Sequence, residues 1–405
     1  MKTDDIRLKF PGLSQKVYGR NLVYLDNAAT SQRPESVIRK LEQLSLEKNA
    51  NIHRAVHYLS GLATEEYEST RDAVKSFINA SSREEIIFTS GATASINLVA
   101  YSFGEAFIKP GDEIIVSESE HHSNIVPWQL MAARKGAVIK VLPVKDSGEL
   151  DLEALTNLLS EKTRITCVTH ISNVLGIINP IKKIVGICHR AGSAVLVDGA
   201  QGIVHQRVDV QDIGCDFYAF SGHKLFASTG TGVLFGRREL LDKMPPYMGG
   251  GEMIGTVSFS GTTYAPLPAK FEAGTQNFNA VPTLKPAVEL AGQMMDCVEE
   301  QDEVKNYVLS SLKSDDRITL YGNPCCGENK VGLFSISVKG AHHEDIALIL
   351  DKMGIAVRSG QMCAEPLMDR FGVTGMLRAS FAPYNNKVEA EMFVNGLEKA
   401  IGMLL

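Results

Sequence analysis

The sequence predicts an α/β protein, with a large unit built on a mostly parallel sheet and a small α+β unit after it. Three observations carry this. From Glu85 onward short apolar runs alternate with helical patterns through brief connections, as stacked βαβ units do. Two of the runs, Ala194-Val195-Leu196-Val197 and Phe217-Tyr218-Ala219-Phe220, end in polar groups, Asp198-Gly-Ala-Gln201 and Ser221-Gly-His-Lys224. In such sheets ligands bind outside the carboxyl ends of the strands, so chemistry is expected there. At 405 residues, the chain is also too long for one ordinary core.

Taken in order, Thr3 is expected to cap a short helix through Ile6, Leu8 and Phe10 that Pro11 closes. The apolar piece Leu22-Val23-Tyr24-Leu25 runs into Asp26-Asn27-Ala28-Ala29-Thr30, small residues that let backbone lie close to a ligand. Pro34 suits a first helical turn, and the polar break at His53-Arg54 precedes a helix from Tyr58 to Phe77. Ile86-Ile87-Phe88 leads through Thr89-Ser90-Gly91-Ala92-Thr93 into a helical pattern at Ile96, Leu98 and Val99. Free N–H groups at such a helix start face an anion, which makes this turn a candidate phosphate cradle; an ordinary strand-to-helix turn is the plainer reading of the turn alone.

Further strands are expected at Glu113–Val116, Val138–Leu142 and Ile165–Thr169, with His121, His122 and Asn173 near their carboxyl ends. After Lys224 the pattern turns irregular as far as Pro268, and a loop this long is usually functional or at an interface. One amphipathic helix from Pro282 to about Leu312 leads to the second unit. That unit should hold strands Ile318–Tyr321, Leu333–Val338, Ile355–Val357 and Leu377–Phe381, a helix Glu344–Met353 and a terminal helix from Lys387.

Composition narrows the function. Apolar residues at 44% and charged residues at 22% are ordinary for a globular protein, and a net charge of -6 argues against nucleic acid or an anionic membrane as partner. No apolar run reaches the length of a membrane span, and the charged amino terminus lacks a signal-peptide run. The cysteines, Cys167, Cys188, Cys215, Cys297, Cys325, Cys326 and Cys363, follow no disulfide or zinc spacing. No metal site is expected, and a reducing cytoplasm is the simplest home.

A lysine at a buried strand end is a candidate for Schiff-base chemistry, and an acid on the adjacent strand is the partner a pyridinium nitrogen needs. Taken singly, each group has a plainer reading: Lys224 as a surface lysine, Asp198 as a helix cap, His121 as a helix-start histidine. Cys363 lies in a polar, Gly-containing loop before Pro366 and is expected to be accessible. Cys167 and Cys188 lie in apolar runs and read as inert core, Cys215 and Cys297 likewise, and Cys325-Cys326 reads as an exposed turn.

Taken jointly the motifs spell a family. Glu120-His-His122, Asp198-Gly-Ala-Gln201, Ser221-Gly-His-Lys224, Phe271-Glu-Ala-Gly-Thr275, Arg358-Ser-Gly-Gln-Met-Cys363-Ala and Leu377-Arg378-Ala-Ser occur in one order. The chain resembles, from about Phe10 to its end, the pyridoxal-phosphate-dependent cysteine desulfurases of the second group, which supply sulfur for iron–sulfur cluster assembly. The resemblance implies an aspartate-aminotransferase-like fold of type I with a mostly parallel seven-stranded sheet. It also implies an amino-terminal arm at 1–20 that packs with the small domain, a large cofactor-binding domain at 21–290 and a small domain at 291–405 that carries the nucleophilic cysteine.

The resemblance further implies that Lys224 holds pyridoxal 5'-phosphate covalently, that Asp198 pairs with its ring nitrogen, and that His121 stacks on its face. Gln201 would partner its phenolic oxygen. Thr93, Ser221 and His223 would bind its phosphate, with Ala92 offering a backbone N–H and Thr275 reaching the phosphate of a neighbouring subunit in a homodimer with shared sites. Arg378, assisted by Asn173, would hold the carboxylate of L-cysteine. Arg358 would steady the cysteine loop or the substrate, and Cys363 would take the sulfur as a persulfide and pass it to an acceptor protein. A selenocysteine lyase acting on L-selenocysteine and an aminotransferase on the same scaffold stay open, whereas a non-catalytic scaffold sits poorly with Lys224, Asp198 and Cys363 all being kept.

Two departures stand out. The family loop commonly has His directly before the nucleophile, where this chain has Gln361-Met362, so an adjacent imidazole is missing. The phosphate turn Ser90-Gly91-Ala92-Thr93-Ala94 is poorer in hydroxyls than its counterparts, which a largely main-chain grip tolerates.

Overall fold

The computed structural model describes residues 2–295, 298–322 and 329–405. Cys297 and the Cys325-Cys326 pair therefore lie outside the described residues. Among those described, the large sheet comprises β1 (Ile86–Thr89), β2 (Glu113–Ser117), β3 (Val138–Leu142), β4 (Thr163–Thr169), β5 (Ala194–Asp198), β6 (Phe217–Ser221) and β7 (Gly232–Gly236). These seven strands run in the order β1-β7-β6-β5-β4-β2-β3. From β6 to β3 every pairing is parallel, and β7 is antiparallel to both of its neighbours. Side chains alternate between the faces: Val195 and Val197 enter one core while Leu196 enters the other. Helices cover both faces, so β6 and β7 are buried at every residue and read as unbroken apolar runs.

The sequence reading left β7 inside its irregular stretch. The run Val233-Leu234-Phe235 is short and bracketed by glycines, which look like loop punctuation. Gly232 is there for contact: a Cβ on it would lie 2.4 Å from Gly91 Cα, so only a bare backbone lets β7 pass the Gly91 turn. The Thr/Ser-rich stretch likewise holds an exposed hairpin, Ile254–Ser258 with Gly261–Tyr264.

The amino terminus differs from expectation as well. Thr3 lies inside the helix Thr3–Arg7 rather than capping it, and Lys2 at the cap makes no side-chain cap bond. The Thr3 N–H donates instead to Glu300 Oε2 at 2.7 Å, so a carboxylate from a distant helix satisfies that end. Pro11 opens a separate short turn, Pro11–Ser14.

The expected helix from Pro282 to Leu312 is two, Leu284–Met294 and Val298–Lys313. Each serves a different core. Leu284, Ala287, Val288 and Met294 pack beneath the large sheet, whereas Val304, Val308 and Leu312 pack with the carboxyl-terminal residues.

That second core rests on a four-stranded sheet, Ile318–Tyr321, Leu333–Val338, Met376–Ser380 and Arg358–Gly360 in spatial order. Val23 and Leu25, placed by sequence in the large unit, belong to it too. Val23–Tyr24 pairs in parallel with Ile355–Ala356. The chain thus leaves this core at Asp26, whose isolated bridge to Ser380 aims the following turn at the ends of β5 and β6.

Candidate active site

β5 and β6 are parallel neighbours, and Asp198 at the end of β5 and Lys224 in the turn Gly222–Lys224 after β6 lie within electrostatic reach of each other. Asp198 is 6% exposed, and its Oδ1 accepts from Ala200 N at 2.9 Å. Burial pushes its carboxyl above the usual range, with the Lys224 charge opposing. The Lys224 amine has no ion-pair partner among the described residues. Desolvation pulls its pKa below the usual lysine range, and Asp198 pulls the other way. A recessed amine without a partner beside a buried acid is the arrangement a covalent carbonyl cofactor would complete.

Around this pair the candidate phosphate cradle joins the strand Ile86–Thr89 to a helix, as the sequence pattern led one to expect. Gly91 takes a φ of 155°, and the helix Ala92–Phe107 starts directly after it. Ala92 N–H donates to Ser221 Oγ at 2.8 Å, which joins the ends of β1 and β6. Thr93 is exposed and shares a 2.7 Å hydrogen bond with Ser123. His223 approaches Thr30 Oγ1 at 3.2 Å, and burial with the Lys224 charge lowers its pKa to about 4. His121 accepts from Ser123 N at 3.1 Å, and the same two causes lower it to about 4 as well. Both rings are therefore uncharged at neutral pH, which suits His121 for stacking on a flat cofactor.

Gln201 donates to Ala28 O at 2.8 Å, so the Asp26–Thr30 turn does lie against the site. Thr275 is exposed and lines, with Ser90, Ala94, Tyr247 and Met248, a cleft of about 340 Å³ beside the Gly91 turn. Its loop is anchored from below. Glu272 forms a bidentate pair with buried Arg71 at 2.7 and 2.9 Å and accepts from Phe88 N at 2.7 Å, which ties the loop to β1.

The second unit delivers the remaining residues. Cys363 is exposed, while Cys167, Cys188 and Cys215 are buried, as their apolar neighbours predicted. Met362 and Cys363 both hold φ at 56°, a left-handed pair that non-glycine residues adopt at a cost. Two contacts from the large unit offset it. Asn173 Nδ2 donates to Met362 O at 2.9 Å, and His122 N donates to Cys363 O at 2.8 Å. His122 also receives Glu365 N at 3.2 Å on its ring.

Arg378 is 2% exposed. It donates to Asn173 O at 2.8 Å and to Asp26 Oδ1 at 3.2 Å, and its buried Nε is left unpaired. Burial lowers its pKa to about 10, with Asp26 opposing, so it stays charged at neutral pH. Arg358 forks onto the same Asp26 at 3.0 and 2.8 Å. Lys224, Arg358 and Arg378 all lie within electrostatic reach of Cys363.

In the polar break before the helix Tyr58–Phe77, His53 contacts Glu68 at 3.1 Å and Arg54 contacts Glu252 at 2.5 Å. Sequence reasoning also missed the clamp role of Asp26, which no local pattern announces. It missed His170, the residue after β4, whose Nδ1 lies 2.8 Å from the Tyr218 hydroxyl.

Burial lowers His170 to about 4, and this fixes a pH dependence. Between its unfolded value near 6.5 and its folded value near 4, the unfolded chain binds the proton and the folded one does not, so stability is lost as pH falls through that window. Denaturant melts at pH 7 and pH 4.5 should show wild type losing more stability than His170→Asn, by on the order of 3 kcal/mol at most. Parallel losses in the two proteins would refute the assignment.

The model of the family "Aminotransferase class-V" matches residues 23–393. A cysteine desulfurase from Escherichia coli is 45% identical over 399 residues, covering 98% of this chain and 97% of that protein. Among solved structures, the cysteine desulfurase CsdA from Escherichia coli superposes with a TM-score of 0.92 at 38% identity, covering 100% of both chains. The apo cysteine desulfurase from Thermococcus onnurineus NA1 gives 0.93 at 35% identity, covering 100% of this chain and 99% of the other. The chain belongs to the class-V aminotransferase family, within its cysteine desulfurase group.

Proposed function

We propose that the protein is a pyridoxal-phosphate-dependent cysteine desulfurase that turns L-cysteine into L-alanine and leaves the sulfur as a persulfide on Cys363. The observation that carries this is the meeting of an unpartnered Lys224 amine, a buried Asp198 and an exposed Cys363 on a loop gripped by His122 and Asn173. An aminotransferase has no use for the last of these.

The residues present fit the cofactor: Lys224 would hold it, Asp198 would face its ring nitrogen, His121 would lie on its ring and Gln201 near its phenolic oxygen. Thr93, Ser221, His223 and the Ala92 N–H would take its phosphate. Pyridoxal phosphate, when bound, supplies an electron sink at the α-carbon of the amino acid. Arg378 offers its unpaired Nε to the substrate carboxylate, with Asn173 and Asp26 fixing the guanidinium and Arg358 steadying Asp26. The Lys224 amine takes the Cα proton. The Cys363 thiolate forms a bond to the substrate sulfur as the Cβ–Sγ bond breaks, and its electron pair stays with the carbon fragment, which gains protons to become alanine. With Gln361-Met362 before Cys363, no imidazole directly precedes the proposed nucleophile, and Lys224, Arg358 and Arg378 lie within electrostatic reach of it.

The finer assignments belong to the same proposal. They are the second desulfurase group, sulfur supply for iron–sulfur assembly through an acceptor protein, and a homodimer in which the exposed Thr275 reaches the partner's cofactor. The domain division 1–20, 21–290 and 291–405 is likewise proposed, supported by the separate core of the carboxyl-terminal sheet and amended by Val23 and Leu25, which pack there. A cytoplasmic home suits the unpaired cysteines. Among the described residues, no helix is long and apolar enough to cross a membrane.

The test is to purify the protein, record a borohydride-sensitive absorption band, add L-cysteine and measure alanine and sulfide in equal amounts. A band without alanine would reject the desulfurase reading and keep the fold.

A further inference from the structure

The turn from Asn173 to Gly176 leaves the large unit and presents four consecutive carbonyls to the small one, and each is taken by a different donor. Arg378 Nη1 binds Asn173 O at 2.8 Å, Ser335 Oγ binds Val174 O at 2.5 Å, Lys330 Nζ binds Leu175 O, and Val331 N binds Gly176 O at 3.0 Å. The turn is buried throughout its length, so each carbonyl must find a protein donor.

Lys330 is the unusual member. Its side chain is 2% exposed, it has no carboxylate partner among the described residues, and its Nζ lies 5.6 Å from the centre of the Phe334 ring. A lysine is rarely retained in such a place without a partner charge. Its task is legible in what the turn does next. Asn173 is the residue that grips Met362 O, one position before Cys363, and its own carbonyl orients Arg378. The left-handed pair at 362 and 363 cannot hold itself, so the cysteine loop depends on that grip.

We propose that Lys330, with Ser335, is a positioning residue for the Cys363 loop, acting through the carbonyls of Leu175 and Val174 to fix the Asn173 turn. The Lys330 side chain donates to Leu175 O and not to Lys224, Asp198 or Cys363. The proposal rests on the desulfurase reading only for its kinetic consequence; the placement of the loop stands on geometry.

The experiment uses the holoenzyme with Lys330→Met, which keeps the stem and removes the donor, and separately Ser335→Ala, a small change that should fold even if the first does not. Hydrogen exchange read by mass spectrometry should quicken at least about tenfold in peptides covering 172–177 and 360–366, with the terminal helix as protected as in the parent. The kcat for alanine formation should fall about tenfold while KM for L-cysteine changes less than about threefold, because Arg378 keeps Asp26, and the cofactor band should not move. Exchange in 360–366 within about twofold of the parent in both folded variants would overturn the proposal. A parent without desulfurase activity, but with the exchange change in the variants, would reject the functional reading and leave the positioning intact.

Discussion

Cys363→Ala keeps the borohydride-sensitive band and binds L-cysteine, yet forms alanine at least about a thousandfold more slowly and carries no persulfide. The expectation follows from where the residue's contacts lie. Its backbone carbonyl, held by His122, and the carbonyl before it, held by Asn173, fix the loop, and alanine preserves both while removing only Sγ. The Arg378 guanidinium and the Asp198–Lys224 pair do not hydrogen-bond the thiol, so substrate binding and proton removal should survive. Cys363→Ser should fail almost as badly, since a hydroxyl ionises far above a thiol. Alanine formation, persulfide by mass spectrometry and the absorption band are the three readouts. Undiminished turnover in Cys363→Ala would show that another group captures the sulfur.

What the sequence disclosed divides along physical lines. Strands β5 and β6 were legible because a buried parallel strand writes itself as an apolar run, and the polar groups at their ends stand where the sheet leads them. The accessibility of Cys363 and the burial of Cys167, Cys188 and Cys215 followed from their immediate neighbours in the same way.

Contacts across long separations were not legible. Asp26 clamps Arg358 and Arg378 from more than 300 residues away, and in the sequence it is one polar residue in a turn of small ones. Thr3 resembled a cap because local pattern cannot know that Glu300 arrives instead. Strand β7 hid behind Gly232, whose meaning lies in the backbone of Gly91 rather than in its own neighbours. The break between the helices Leu284–Met294 and Val298–Lys313 was invisible because both halves are amphipathic and only the cores they face differ.

Lys224→Ala is expected to abolish the borohydride-sensitive band and to lower alanine formation by about a thousandfold or more, the largest loss any single change here should produce. The two duties proposed for Lys224 would fail at once: the covalent hold on the cofactor and the removal of the Cα proton. An effect beyond activity distinguishes this from a folding defect. The Lys224 charge helps to lower both His121 and His223 to about 4, although burial is the larger cause in each. Without that charge, protonating either ring costs less, so both pKa values should rise in the cofactor-free protein, and burial should still keep them below the ordinary 6.5. Asp198 should move in the same direction, because the opposing charge that limited its rise is gone. Imidazole proton resonances followed from pH 3 to 8 in parent and variant measure the first effect directly. Unchanged histidine titrations in a folded variant would mean that Lys224 does not face His121 and His223, and the site would have to be rebuilt without it.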